Sequence, residues 1–184
     1  EFYPYKLHIS RNNNELVPSV HDMDSFQKGQ KQFRCDFSHT NRLFYSGDNY
    51  SSMTNQLDVF NQNGTSYILS AYSSENTLAA YKPVNLKECI TLIKQVVYVL
   101  GNIHKMGYLY LDIKPDNVLI VDGYQKQVQL FDFNSLFEWK KVNQPSDIRL
   151  SYTKGFAPIE LQTSKIKRLG PHTDVYSVGA LLFY

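Results

Sequence analysis

Apolar and polar positions divide this chain into an irregular first third and a strongly periodic remainder. Tyr3, Tyr5, Leu7 and Ile9 alternate with other residues, a strand pattern that Pro4 interrupts. Arg11 to Asp24 is polar, holds Asn12-Asn13-Asn14 and Pro18, and predicts a loop. Asp24 or Ser25 caps a helix expected over 25–44, with Phe26, Phe33, Phe37 and Leu43 as its apolar face. Ser46 to Thr54 predicts a further loop. Gln56–Phe60 and Thr65–Tyr72 then predict a hairpin, because Asn63-Gly64 suits a turn whose central residues both need positive φ.

The second half is more regular. Asn85-Leu86-Lys87-Glu88 has the form of a capping box, with Asn at the cap and Glu three residues on. The helix it opens carries Leu86, Ile90, Ile93, Val97, Leu100 and Ile103 at spacings of three and four, and should end near Met106-Gly107. Val118–Val121 and Val128–Phe131 predict a second hairpin around Asp122-Gly123. From Val175 to Tyr184 the chain grows steadily more apolar, with no C-cap glycine, basic last turn or closing proline. It also starts at Glu1 rather than Met. Both ends read as cuts through a larger domain, and Val178, Ala180, Leu181, Leu182 and Phe183 are expected to stay partly in water.

Composition narrows the function classes. A chain of 184 residues has room for one domain and part of a second lobe. With 42% hydrophobic and 20% charged residues it is no disordered polyelectrolyte. Lys plus Arg less Asp plus Glu is 19 − 17, or +2, which gives no reason to expect nucleic acid or a membrane surface as partner. No apolar run approaches the ~20 residues of a membrane span. There is no secretory signal, and Cys35 and Cys89 are too few for a disulfide framework, so a reduced, cytoplasmic setting is expected.

The chemistry is concentrated in four segments. Tyr110-Leu111-Asp112-Ile113-Lys114-Pro115-Asp116-Asn117 lies between the long helix and the second hairpin. Asp132-Phe133-Asn134 follows the hairpin, then Gly155-Phe156-Ala157-Pro158-Ile159-Glu160, then Asp174-Val175-Tyr176-Ser177-Val178-Gly179. In this order the segments resemble the C-terminal lobe of a protein kinase, closely over 56–184 and loosely over 1–55. The resemblance implies an α+β, bilobal fold with a partial N-lobe over 1–71, a hinge at 71–75 and a mainly helical C-lobe over 72–184. It implies ATP-dependent phosphorylation of a Ser or Thr hydroxyl on a protein substrate, with Mg²⁺ as the metal.

Phosphoryl transfer asks a protein mainly to position groups and neutralise charge. By resemblance, Asp112 accepts the substrate hydroxyl proton and Lys114 meets the γ-phosphate. Asn117 and Asp132 offer a neutral and an anionic oxygen, which suits a hard Mg²⁺ ion. Leu119 forms the floor under adenine, and Ala71 and Ser73 in the hinge complete the nucleotide site. Asp174 is expected as a buried anchor for the catalytic-loop backbone, and Glu160 as the partner of an arginine beyond Tyr184. His104 reads as an ordinary helix residue, and Lys165-Ile166-Lys167-Arg168 as a solvated loop.

Several positions depart from the family pattern. Tyr110 stands where His is usual, and its ring is expected to pack. Leu111 replaces the Arg that commonly docks a phosphorylated activation loop, so a phosphate mimic at Ser151 or Thr153 is expected to change activity little. Asn134 replaces Gly after Asp132-Phe133; Asn tolerates the positive φ expected there. No Gly-rich loop is present. Glu1-Phe2-Tyr3-Pro4 is similar to the segment after the strand lysine in bacterial serine/threonine kinases, which puts that lysine just before Glu1, with Lys6 as its rival. Asp36 falls at the position of the ion-pair Glu. These departures keep a pseudokinase scaffold open as an alternative, and behind it a small-molecule phosphotransferase. The chain by itself is expected to be inactive.

Overall fold

The computed structural model describes residues 9–12, 15–18, 27–31, 34, 38, 56–62, 65–70, 76–123, 125–141, 150, 152–163 and 165–184. Strands β1 (Ile9–Asn12) and β2 (Glu15–Pro18) pair antiparallel, with Asn12 opposite Glu15. This corrects the loop expected from Arg11 onward. Main-chain groups alone can build a ladder, and here Leu16 and Val17 are adjacent rather than alternating, so no period of two announces it. Residues 27–31, 34 and 38 are helical, within the helix expected over 25–44. Strands β3 (Gln56–Gln62) and β4 (Thr65–Ser70) form the expected hairpin, with Gln62 opposite Thr65 and a register shift between Gln56 and Asp58. Phe60 stacks on Tyr67 across it, with ring centroids 5.2 Å apart. The Asn63-Gly64 turn and the hinge lie outside the described residues.

The remainder is built around helix α1 (Leu86–Lys105). Asn85 caps it by accepting the Glu88 amide at 3.0 Å. The reciprocal half of the capping box is missing, because the Glu88 carboxylate binds the Val84 amide and the Tyr81 hydroxyl, both at 2.6 Å. Leu92, Val96, Val99, Leu100 and Ile103 form the buried face. Leu100 and Ile103 lie on it and Ile93 packs against it as expected, whereas Leu86, Ile90 and Val97 are exposed, so the core-facing stripe differs in part from the one expected. Both stripes satisfy a spacing of three and four, and packing against the sheet decides between them.

That sheet is three-stranded, with β5 (Asn76–Thr77), β7 (Val118–Val121) and β8 (Gln127–Leu130) in the order β5-β7-β8. Val118, Ile120, Val128 and Leu130 pack into one core with the buried face of α1. Each such side chain is worth about 1.5–3 kcal/mol when fully buried. Gln95 ties helix to sheet by donating to the Lys126 carbonyl at 3.0 Å and accepting the Val128 amide at 2.9 Å. Strand β6 (Tyr108–Leu109) pairs with β9 (Phe137–Glu138). A short helix, α2 (Ile159–Gln162), precedes α3 (Pro171–Leu182).

Helix α3 begins at Pro171, because Gly170 and Thr173 close its first turn. Val178 and Leu181 join the α1 core, which corrects the expectation that they stay in water; Leu182 and Phe183 are exposed.

Candidate active site

Gly107, at φ +91°, ends α1 and turns the chain into β6. Two residues beyond β6 lies Leu111, with φ +66°. A left-handed conformation costs a leucine roughly 1–2 kcal/mol. Asp174, fully buried on α3, holds it there. Its Oδ1 accepts the Leu111 amide at 2.8 Å and its Oδ2 the Tyr110 amide at 2.9 Å. Hydrogen bonds to a charged group contribute about 1.5–3 kcal/mol each, so the clamp outweighs the strain.

His104 Nε2 completes the carboxylate's shell at 2.7 Å from Oδ2. An ionised carboxylate only accepts, so Nε2 is the donor in that pair. Sequence reading missed this role; the available signal was a histidine in the last turn of α1, just ahead of the turn into the loop. Tyr110 packs edge-on against Phe133, with centroids 5.6 Å apart, and its hydroxyl also donates to the Phe131 carbonyl. The expectation of packing alone was therefore incomplete.

The clamp delivers Asp112 to the mouth of the loop, 6% exposed. Lys114 Nζ lies 2.7 Å from its Oδ2. The Asn117 side-chain nitrogen donates to the Asp112 carbonyl at 2.9 Å and to Oδ2 at 3.3 Å. Pro115–Asn117 forms a single tight turn that brings Asn117 back beneath Asp112. Thr153 donates its hydroxyl to Oδ1 at 2.7 Å. It was read as a phosphorylation position of little consequence. Its hydroxyl is instead engaged with the candidate proton acceptor, so a phosphate there would meet Asp112 directly.

Asp132 follows β8, as Asn117 precedes β7. Phe131 N donates to the Asn117 carbonyl at 3.3 Å, and Val118 pairs with Leu130. The hairpin thus returns residues fifteen apart in sequence to one end of the sheet. Asp132, at φ +58°, is the left-handed residue of this turn, and its Oδ1 accepts the Asn134 amide at 3.4 Å. Asn134 has no positive φ. The expectation for that position is corrected: the strain is carried one motif residue earlier, where a carboxylate can bond locally and tolerate the conformation.

Leu119 is buried in the central strand, opposite Thr77 and Gln129. Glu160 is approached by Thr173 Oγ1 at 3.4 Å and His172 Nε2 at 3.7 Å. Cys89 is a free, half-buried thiol. Ala71, Ser73, Lys6, Asp36, Cys35 and Ser151 lie outside the described residues.

Leu111 sits in a second apolar cluster with Leu109, Phe137, Ala157, Leu161 and Leu169, against which Leu150 and Ile166 pack. The loop carrying Asp112 and the segment carrying Thr153 are therefore joined by apolar contact.

Residues 46–184 match the family model of the protein kinase domain. The chain belongs to the protein kinase domain family. It is similar to an Aurora kinase of Saccharomyces cerevisiae, 25% identical over 158 residues, which is 84% of this chain and 40% of that protein. It is similar to the serine/threonine-protein kinase D of Synechocystis, 25% identical over 75% of this chain and 28% of the relative. The serine/threonine-protein kinase PknG of Mycolicibacterium smegmatis is 28% identical over 65% of this chain and 15% of its own length. This kinase domain therefore spans less than half the length of each of these relatives. The α+β architecture expected from the motifs is that of the family, and among the described residues no helix is long and apolar enough to cross a membrane.

Proposed function

We propose that this kinase domain transfers the γ-phosphate of ATP to a Ser or Thr hydroxyl on a protein substrate, within a protein extending beyond these residues. The observation that carries the reading is the convergence of Lys114, Asn117 and Thr153 on Asp112, each through a hydrogen bond. A carboxylate so fixed is poised to take a proton from an incoming hydroxyl without first finding its orientation. As the hydroxyl oxygen bonds to the γ-phosphorus, the bond from phosphorus to the ADP oxygen breaks and the hydroxyl proton passes to Asp112. Lys114, a half-exposed cation beside that carboxylate, balances charge on the transferring phosphoryl group.

The residues present fit a Mg²⁺ ion. Asn117 commits its nitrogen to Asp112, which leaves its amide oxygen as the group to offer a metal. Asp132, brought to the same end of the hairpin, supplies the anionic oxygen. Among the described residues no three His, Cys, Asp or Glu side chains converge, so the remaining ligands would come from the nucleotide phosphates and water. Bound Mg²⁺ would neutralise charge on those phosphates. Leu119, with Ala71 and Ser73, is assigned to the adenine pocket on the strength of the family resemblance.

Relatives described in their own names as serine/threonine-protein kinases support the choice of hydroxyl. Asn134, lacking the positive φ that would demand glycine, lends the scaffold alternative no support. The test is radiolabelled phosphate transfer from ATP to a generic protein acceptor by the intact protein, wild type against Asp112→Asn. Loss of transfer with nucleotide binding retained is expected. Transfer undiminished in the variant would refute the role of Asp112, and nucleotide binding without transfer in either would favour a scaffold.

A further inference from the structure

Exposed charge between Leu150 and Tyr184 is of one sign. Lys154, Lys165, Lys167 and Arg168 are exposed, as is His172. The carboxylates of this stretch, Glu160 and Asp174, are turned inward on Thr173 and on the loop amides respectively. Among its described residues no Asp or Glu is exposed, and no ion pair involves those lysines or Arg168.

Two connections tie this cationic stretch to the loop that carries Asp112. Lys154 directly follows Thr153, whose hydroxyl touches Asp112; the Phe156 and Ala157 amides fold back on the Thr153 carbonyl at 3.1 and 3.2 Å. Ile166, between Lys165 and Lys167, packs into the cluster that holds Leu111, the neighbour of Asp112. With Ile166 drawn inward on the tight turn Ile166–Arg168, the flanking cations stay in solvent.

We propose that this patch selects protein substrates carrying Asp or Glu beside the Ser or Thr that is phosphorylated. The inference rests on the kinase reading above and adds the class of substrate. Asp116, exposed on the catalytic loop itself, would repel acids at its own position, so the preference holds only for acids that reach the basic stretch. Exposed pairs are individually weak and screened beyond about 8 Å at physiological salt. Selection therefore needs several acids and fades as salt rises.

The experiment uses the intact protein and peptides of equal length, each with one Ser carrying a run of several Glu, Gln or Lys on one side or the other. Glu on one side is expected to raise kcat/KM about tenfold over Gln, chiefly through KM and less at high salt. The triple variant Lys165→Glu/Lys167→Glu/Arg168→Glu should reverse the order, with Lys peptides overtaking Glu peptides. If it melts early, the Gln triple at the same positions should abolish the preference. Equal turnover of Glu and Gln peptides by the wild type, or an order unchanged by charge reversal, would overturn the proposal while leaving the kinase reading intact. Phosphorylation of no peptide would count against the kinase reading. In that event anisotropy of the labelled Glu peptide decides: binding tighter than the Gln peptide and lost in the variant upholds the patch, and equal binding overturns it.

Discussion

Thr153 and Lys114 each take one oxygen of Asp112, both at 2.7 Å, so the carboxylate is gripped from the activation segment and from its own loop. On the role proposed for Asp112, a substrate hydroxyl would approach a group whose plane is already set. Removing one grip should cost about 1 kcal/mol of transition-state stabilisation, or roughly fivefold to tenfold in kcat. Thr153→Ala is expected to lose that much and Thr153→Ser little. Thr153→Glu should fall well below Ala, because its charge repels Asp112 and competes for Lys114. Steady-state kinetics on a generic acceptor check the order; a Glu variant as active as wild type would show that Thr153 leaves Asp112 during turnover.

Asp132 and Asp112 should separate under nucleotide titration. Asp132 is assigned to the metal and Asp112 to the acceptor hydroxyl. Asp132→Ala is therefore expected to weaken Mg-ATP binding about tenfold or more while Asp112→Ala changes it little. Titrations with and without Mg²⁺ measure both, and equal losses would contradict the division of labour.

The entry to α1 carries a pH dependence. The Tyr81 hydroxyl, and next the Val84 amide, hold the Glu88 carboxyl below its ordinary value of 4.5. A depressed folded value means the contribution is fully present above the ordinary carboxylate range and is lost as pH falls through the folded value. Following the Glu88 carboxyl by NMR, Tyr81→Phe should move its titration up toward 4.5. The group is half-buried and largely screened by solvent, so the effect on melting should be small, and an unmoved titration would assign the shift elsewhere.

The motif segments were legible because each joins residue type to order. Asp112, Lys114 and Asn117 lie within six residues, and the 118–131 hairpin that returns Asp132 to them is announced by two short strand-like runs around Asp122-Gly123. What escaped were contacts between distant segments. Nothing local to Thr153 says that its hydroxyl reaches back 41 residues, nor does His104 announce Asp174 across 70. Part of the stripe on α1 differs, because Ile90 and Val97 fit a helical period as well as Leu92 and Val96 do, and only the sheet shows which face is covered. Strand β2 escaped because Leu16 and Val17 are adjacent rather than alternating, and its ladder is made by main-chain groups.

Leu111 and Asp174 should prove thermodynamically coupled. Asp174→Ala leaves the Tyr110 and Leu111 amides without their acceptor inside the fold, at about 1–3 kcal/mol each. A loss of roughly 3–5 kcal/mol is large against the ~5–15 kcal/mol of a typical domain. Leu111→Gly removes the left-handed strain but forfeits a leucine that is 2% exposed, so the single variant is also expected to lose stability, by about 2–4 kcal/mol. In the glycine background the clamp no longer has a strained residue to hold. Asp174→Ala should then cost about 1 kcal/mol less than it does alone. Leu111→Arg is expected to be worse than Gly, since its guanidinium would enter the cluster of Phe137, Leu161 and Leu169 without a partner. Urea denaturation of the wild type, both singles and the double closes the cycle. Strictly additive losses would mean that Asp174 supports the amides without restraining Leu111, and the clamp as described would be wrong.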